Sequence, residues 1–381
     1  MIKFYNISKT SMLRDMCNIN NIPFNIDESY DLYEYHLYAR NEQITPEKAF
    51  EEIDWEFIKR NNKKLIITHI QIYHLSVFEE LLYYYIQKYN CKDNVWWYSF
   101  NPYEVTNKKF NIAFLDPISH TSMDHELSCI KWLKGLDVNH RKLKDIKLLE
   151  LKEADKYYIA TNRTHTASRV LTNHLLNKKD LIKNGYYSFL AYQTKKNYKT
   201  AKESYLRDFC SHNLKNYGVD TEEVCLDVFK NHTLDLEDLK SPMLSLDSIE
   251  EFYKKSLVSL VTESIVTNSD MFLTEKTQMA LIYGRPFLIV GNKHSLRFLK
   301  RYYGFKTFDY IFDESYDNCD NFIERTIKVV EELDKFCSLP FSKAKEKVES
   351  ITHILQHNRK IYNMLDRSHL LQKMLTKVME G

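Results

Sequence analysis

The sequence predicts an α/β protein of two doubly wound domains with a deep cleft between them. A chain of 381 residues exceeds what one core usually organises and suits two domains of ~150–200 residues each. In both halves, short β-branched or aromatic runs alternate with helical patterns, the order that builds parallel sheets. Residues 258–305 read as strand, polar loop, capped helix, tight turn and strand, which is how such a sheet presents an anionic ligand.

In the first half, strands are expected at 2–5, 65–70, 95–100 and 111–115. Between the second and third, residues 73–89 carry apolar side chains at helical spacing, so this stretch is a βαβ unit. Residues 121–153 are rich in Lys, Asp and Leu and are expected to link the domains through a helix or two, with the boundary near 150. The second half gives strands at 157–161, 187–192, 257–261 and 287–290, with an edge strand at 310–312. A more polar stretch, 197–250, is expected to be an insertion whose helices cap the ligand. Residues 342–378 are helical by propensity.

The chemistry of 258–305 follows from where each residue type falls. Val258 to Val261 form a buried run, so Thr262, Glu263 and Ser264 emerge at the strand end where open α/β sheets bind ligands, and Glu263 is placed to accept from sugar hydroxyls. Thr274 before Glu275 and Lys276, Gly284 after the helical run, and Pro286 beyond it give an N-cap, a C′ glycine and a proline stop in the expected order. Lys276 then lies in the first helical turn, where its charge adds to the helix dipole and suits a diphosphate. Upstream, Asn162, Arg163 and Arg169 follow the strand ending at Thr161, and Thr164, Thr166 or Ser168 can cap the next helix. Guanidinium groups match phosphate oxygens in pairs. Asn162 is suited to bond the backbone of the turn. The chain has only 7 glycines, and neither GxGxxG nor GxxxxGK[ST] occurs, so a nucleotide here is held by side chains and helix ends.

Thr262-Glu263-Ser264, Phe272-Leu273-Thr274-Glu275-Lys276, Gly284-Arg285-Pro286 and Gly291 resemble the donor-nucleotide motif of GT-B glycosyltransferases, in particular the fucosyltransferase-like pattern and the enzymes carried by large phages and viruses. Residues 156–162, followed by Arg169 and a helical run to Leu176, are similar to the strand, Asn, Arg and helix that open the donor domain of those enzymes. The resemblance spans 155–317. It implies two Rossmann-like domains: 1–150 acceptor-side with the linker, 151–345 donor-binding, and 346–381 as C-terminal helices whose last member packs back on the first domain. It also implies a UDP- or GDP-sugar as donor substrate, no obligatory cofactor, and donor-binding roles for Arg169, Arg163, Asn162, Glu263, Thr274, Glu275 and Lys276.

The acceptor implied is a hydroxyl, on a hydroxymethylated pyrimidine of phage DNA or on a surface glycan; a catalytically idle GT-B-like binding module is the other reading. An inverting reaction needs a base in the first domain, and Asp116, His69, His120 and Asp124 form the pool. A retaining reaction needs none. Spacing does not choose among the four.

Hydrophobic residues at 44% and charged residues at 28% match ordinary soluble globular chains and exclude wholesale disorder. The excess of tyrosine and phenylalanine fits a core built partly from rings. A net charge of +2 carries no polyanion-binding character for the whole molecule, although 108–114, 139–147 and 193–202 are locally basic. Seven cysteines without a CxxC pair fit a reducing compartment, so the expected location is cytoplasmic, in the host cytoplasm for a viral protein. No apolar run reaches the ~18 residues of a membrane span. His353 and His357 lack the Glu of HExxH, and no metal is expected.

Overall fold

The computed structural model describes residues 2–7, 11–19, 23–27, 29–37, 50–69, 75–99, 109–115, 148–162, 166–189, 246–264, 271–365 and 367–380, with a few isolated positions between 210 and 224 and at 266. They belong to two units, Met1–Lys134 with Asp366–Gly381, and Gly135–Leu365.

In the first unit the elements run β1 (Ile2–Asn6), α1 (Met12–Ile19), β2 (Phe24–Ile26), β3 (Leu32–Leu37), α2 (Trp55–Arg60), β4 (Lys64–His69), α3 (Leu75–Tyr89), β5 (Val95–Ser99) and β6 (Asn111–Phe114). The strands form one sheet in the order β2-β1-β3-β4-β5-β6 with every pairing parallel. Side chains alternate across a strand, so Leu65, Ile67, Val95 and Trp97 share a core with α2 and α3 on one face. Ile66, Trp96 and Tyr98 turn to the other face, where α1 supplies Leu13 and Met16 and the C-terminal helix supplies Leu371, Met374, Leu375 and Val378. Burial on both faces is what near-continuous apolar runs such as VWWYS require.

The second unit runs β7 (Lys156–Asn162), α4 (Ala167–Lys178), β8 (Gly185–Phe189), α5 (Leu246–Lys254), β9 (Ser256–Thr262), α6 (Glu275–Tyr283), β10 (Phe287–Val290), α7 (Ser295–Phe298), α8 (Phe322–Cys337), α9 (Phe341–Ser350) and α10 (Thr352–Met364). The C-terminal helix is α11 (Arg367–Glu380). The second sheet has the order β10-β9-β7-β8, again all parallel. Every residue of β9 is buried, which for a strand requires cover on both faces of the sheet.

Three sequence expectations change. Residues 310–312 are a turn: Ile311 N and Phe312 N donate back to Phe308 O, which takes the donors a ladder would need. The strands β2 and β3 were not expected; β2 has three residues, and β3 carries Glu34, whose burial depends on partners distant in sequence. The segment expected to start at 346 divides, because α10 lies in the second unit and α11 in the first. Residues 121–147 and most of 197–245 lie outside the described residues. Among the described residues no helix is long and apolar enough to cross a membrane.

Entry into the second unit is fixed by the turn after α6. Gly284 ends that helix at φ +66, and a Cβ there would meet Leu148 Cδ2 at 2.2 Å. Arg285 is 1% exposed and donates to Tyr253 O at 2.9 Å, Leu149 O at 2.8 Å, Gly284 O at 3.2 Å and Glu150 O at 3.2 Å. The arginine of the Gly-Arg-Pro motif therefore staples the incoming chain to α5 and α6. Arg285→Met removes these donors and is expected to cost about 3 kcal/mol or more, because several buried carbonyls lose a charged partner together. Urea denaturation measures this; a loss under about 1 kcal/mol would remove Arg285 from that role.

Candidate functional site

Strand order places the site. From β7 the chain passes through α4 to β8 on one side, and from β9 through α6 to β10 on the other, so β7 and β9 are neighbours whose connections diverge. The C-terminal ends of such a pair open a crevice that helices cannot fill. Asn162 and Thr262 close the two strands, and Thr262 Oγ1 donates to Asn162 Oδ1. Both residues are buried, so this bond ties the strand ends together.

Past Thr262 the backbone stays in the ladder for one more residue, with Glu263 N donating to Val290 O at 2.9 Å. The Glu263 side chain is fully buried. Its two carboxylate oxygens each accept from Thr274 N at 3.0 Å, and Oε1 also accepts from Thr277 Oγ1 at 2.5 Å. Burial raises its pKa, against these donors and the nearby Lys276 charge. The carboxylate caps α6 and holds the 271–274 segment against β9, so its oxygens are already engaged by the protein's own donors. Thr274 is the N-cap, as its sequence position predicted, with Oγ1 accepting from Lys276 N at 3.3 Å.

Two cations face this edge. Arg169, in the first turn of α4, is 2% exposed, and its Nη2 donates to Ser264 Oγ at 2.7 Å and Thr262 O at 3.4 Å. Lys276 Nζ pairs with Glu275 Oε1 at 2.6 Å, with its side chain 15% exposed. The Lys276 pKa is lowered, first by burial and further by the Arg169 charge, while Glu275 and Glu263 oppose the shift. Each cation is thus within the other's field. The N-terminus of α4 adds to this potential: its N-cap Thr166 makes no side-chain capping bond, so the helix dipole there is not offset by its own cap.

Asn162, Arg169, Glu263, Thr274, Glu275 and Lys276 therefore come together at one sheet edge. Arg163, Asp116, His120 and Asp124 lie outside the described residues. His69 ends β4 opposite Leu37, and nothing further is described of its side chain. Ser264, which orients Arg169, was visible in the sequence only as the residue after Glu263. Tyr187, donating to Asn173 Oδ1 at 3.0 Å beneath Asn162 and Arg169, had no sequence marker. Among the described residues no group of metal-binding side chains is present.

No protein-family model matches this sequence, and no curated protein matches it. A search of solved structures finds a glycosyltransferase from Rickettsia africae ESF-5 at 9% identity and a TM-score of 0.38, covering 100% of this chain and 98% of that one. A likeness this slight carries no weight for the site, which stands on its own residues.

Such a site binds an anion most tightly while Lys276 is protonated, and the Arg169 guanidinium beside it stays charged throughout. The Lys276 pKa lies below the ordinary lysine range, so affinity for pyrophosphate is full below that depressed pKa and falls as pH rises through it. Glu275→Gln removes a carboxylate that raises the pKa and is expected to move the fall to lower pH. Titration calorimetry across the alkaline range measures both curves; a Glu275→Gln curve superposed on the wild-type one would disconnect the ion pair from binding.

Proposed function

We propose that this chain is a GT-B-type glycosyltransferase, which moves a sugar from a UDP- or GDP-sugar to a hydroxyl acceptor. The pairing of Arg169 and Lys276 at the β7–β9 edge supports this reading most. Two cations in a largely buried setting repel each other, with Glu275 offsetting part of the Lys276 charge, and an arriving diphosphate relieves what remains. In glycosyl transfer, negative charge grows on the diphosphate as the bond to the sugar breaks. Fixed cations and helix N-termini stabilise that charge without reorganising, which is preorganised electrostatic catalysis.

In this scheme Lys276 and Arg169 hold the leaving diphosphate and Ser264 holds Arg169 in place. Glu263 acts indirectly, by keeping the first turn of α6 and hence Lys276 in register. Asn162 and Thr274 shape the floor, and Arg163, next to Asn162 in sequence, is a further candidate for the diphosphate. An inverting enzyme takes the acceptor proton on one of His69, Asp116, His120 or Asp124 in the first unit. A retaining enzyme dispenses with that base. The acceptor is a glycan hydroxyl or the hydroxymethyl group of a modified pyrimidine in DNA, and incubation with each, followed by mass measurement, assigns it.

A panel of nucleotide sugars tested by thermal shift identifies the donor, because a ligand that binds only the folded state raises its melting temperature. With that donor, Lys276→Ala is expected to lower turnover by roughly 10²-fold, the scale of losing one preorganised partner. Near-normal turnover in this variant would remove Lys276 from the chemistry. Binding without transfer or donor hydrolysis would assign a catalytically idle binding module instead.

A further inference from the structure

Downstream of β10 the chain changes character. Between 295 and 308 there are four cations, Arg297, Lys300, Arg301 and Lys306, and no carboxylate. All four are exposed. The same stretch anchors itself through Leu296, Leu299 and Phe305, which are buried, so its polar face is turned outward by the packing of its apolar one. Residues Leu299–Tyr303 form a π-helical turn that runs directly on from α7. Such a turn is uncommon and is found mostly at functional positions.

Two tyrosines sit among these charges. Tyr302 is 49% exposed and Tyr310 is 77% exposed. Tyr310 lies on the turn next to the basic stretch, and Lys300 Nζ approaches Asp309 Oδ2 at 4.0 Å, which ties the two segments together. Among the described residues, Arg297, Arg301 and Lys306 have no carboxylate partner. The surface is held rigidly from below: Lys306 N donates to Asn358 Oδ1 at 2.8 Å and Asn358 Nδ2 donates to Lys306 O at 2.8 Å, while His357 Nε2 meets Gly304 O at 3.0 Å. A cluster of four exposed cations kept in place by α10, with Asp309 beside Lys300 as the one acid within 295–310, carries a net positive charge and is complementary to an extended anionic surface.

We propose that residues 295–310 dock the second unit onto an anionic membrane surface. Lys and Arg side chains gain from the negative potential of such a surface, and tyrosine rings settle at headgroup level with the ring in the apolar layer and the hydroxyl in water. The alternative polyanion, nucleic acid, uses open aromatic faces for base stacking. Here Tyr302 already stacks on Phe298, with centroids 4.9 Å apart at 18°, and its other neighbour Tyr303 meets it edge-on at 4.9 Å. That arrangement favours the membrane. The helix α7 starts five residues after the end of β10, at the same sheet edge as Arg169 and Lys276, so docking would bring that edge towards the membrane.

The test is co-sedimentation of the full chain with vesicles of phosphatidylcholine alone and of phosphatidylcholine mixed with phosphatidylserine, beside a DNA duplex in a gel-shift arm. Binding to the anionic vesicles alone, weakening as salt rises, is expected. Arg301→Ser combined with Lys306→Ser is expected to lower the vesicle partition roughly 10- to 30-fold, as two cations leave the surface. Tyr310→Ser is expected to lower it further. These side chains are exposed, so circular dichroism and the nucleotide-sugar thermal shift of the variants should match the wild type; that second readout keeps a failure here separate from a failure of the donor assignment. Equal binding by wild type and variants, binding to DNA but not to vesicles, or binding to neither would overturn the proposal.

Discussion

Glu263 leaves β9 inside the protein, and an ionisable group there persists only if donors surround it. Thr274 N and Thr277 Oγ1 supply them, and both belong to the start of α6. The carboxylate therefore sets where that helix begins, and the helix start sets where Lys276 stands. One residue later, Ser264 takes the Arg169 guanidinium. A contiguous pair of residues at one strand end thus orients both cations, one through a helix cap and the other directly. Displacing the strand end would move both charges together.

The first unit uses the same chemistry for a different end. Glu34 is also fully buried, and it accepts from Ser11 Oγ at 2.5 Å, Met12 N at 2.9 Å, Leu13 N at 2.9 Å and Thr68 Oγ1 at 2.8 Å. The N-terminus of α1 is thereby filled by the protein's own carboxylate, joining β3, β4 and α1. The N-terminus of α4 has no such side-chain cap, and a guanidinium stands in its first turn. The two sheets share the start of their strand order, yet only the second leaves positive potential at the divergence of its helices.

Much of the second unit was legible in the sequence because its cues are local. The Thr274 cap, the Gly284 stop and the buried runs of β9 and β10 depend on neighbours a few residues away, and the structure has them where the residues suggested. The cues for β3 are non-local: LYEYHL reads as a mixed polar stretch until Ser11 and Thr68 satisfy Glu34. The same limit applies to Glu263. A carboxylate at a strand end looks the same in sequence whether it faces a ligand or caps a helix, and its bonds to Thr274 and Thr277 show only in the structure. Residues 310–312 failed in the opposite direction, where a short aromatic run suggested an edge strand but turn bonds to Phe308 O formed instead.

The central claim is that Arg169 and Lys276 act as one anion-binding pair, and a double-mutant cycle on UDP and GDP binding tests it most directly. Arg169→Gln and Lys276→Met, singly and together, are compared by titration calorimetry after circular dichroism has established that each folds. Each single variant is expected to lose about 1.5–3 kcal/mol of binding, the worth of a charged hydrogen bond. The double variant should lose clearly less than the sum, because the two groups share one ligand charge. Additive losses would make the two cations independent. Undiminished binding in either single variant would contradict the account.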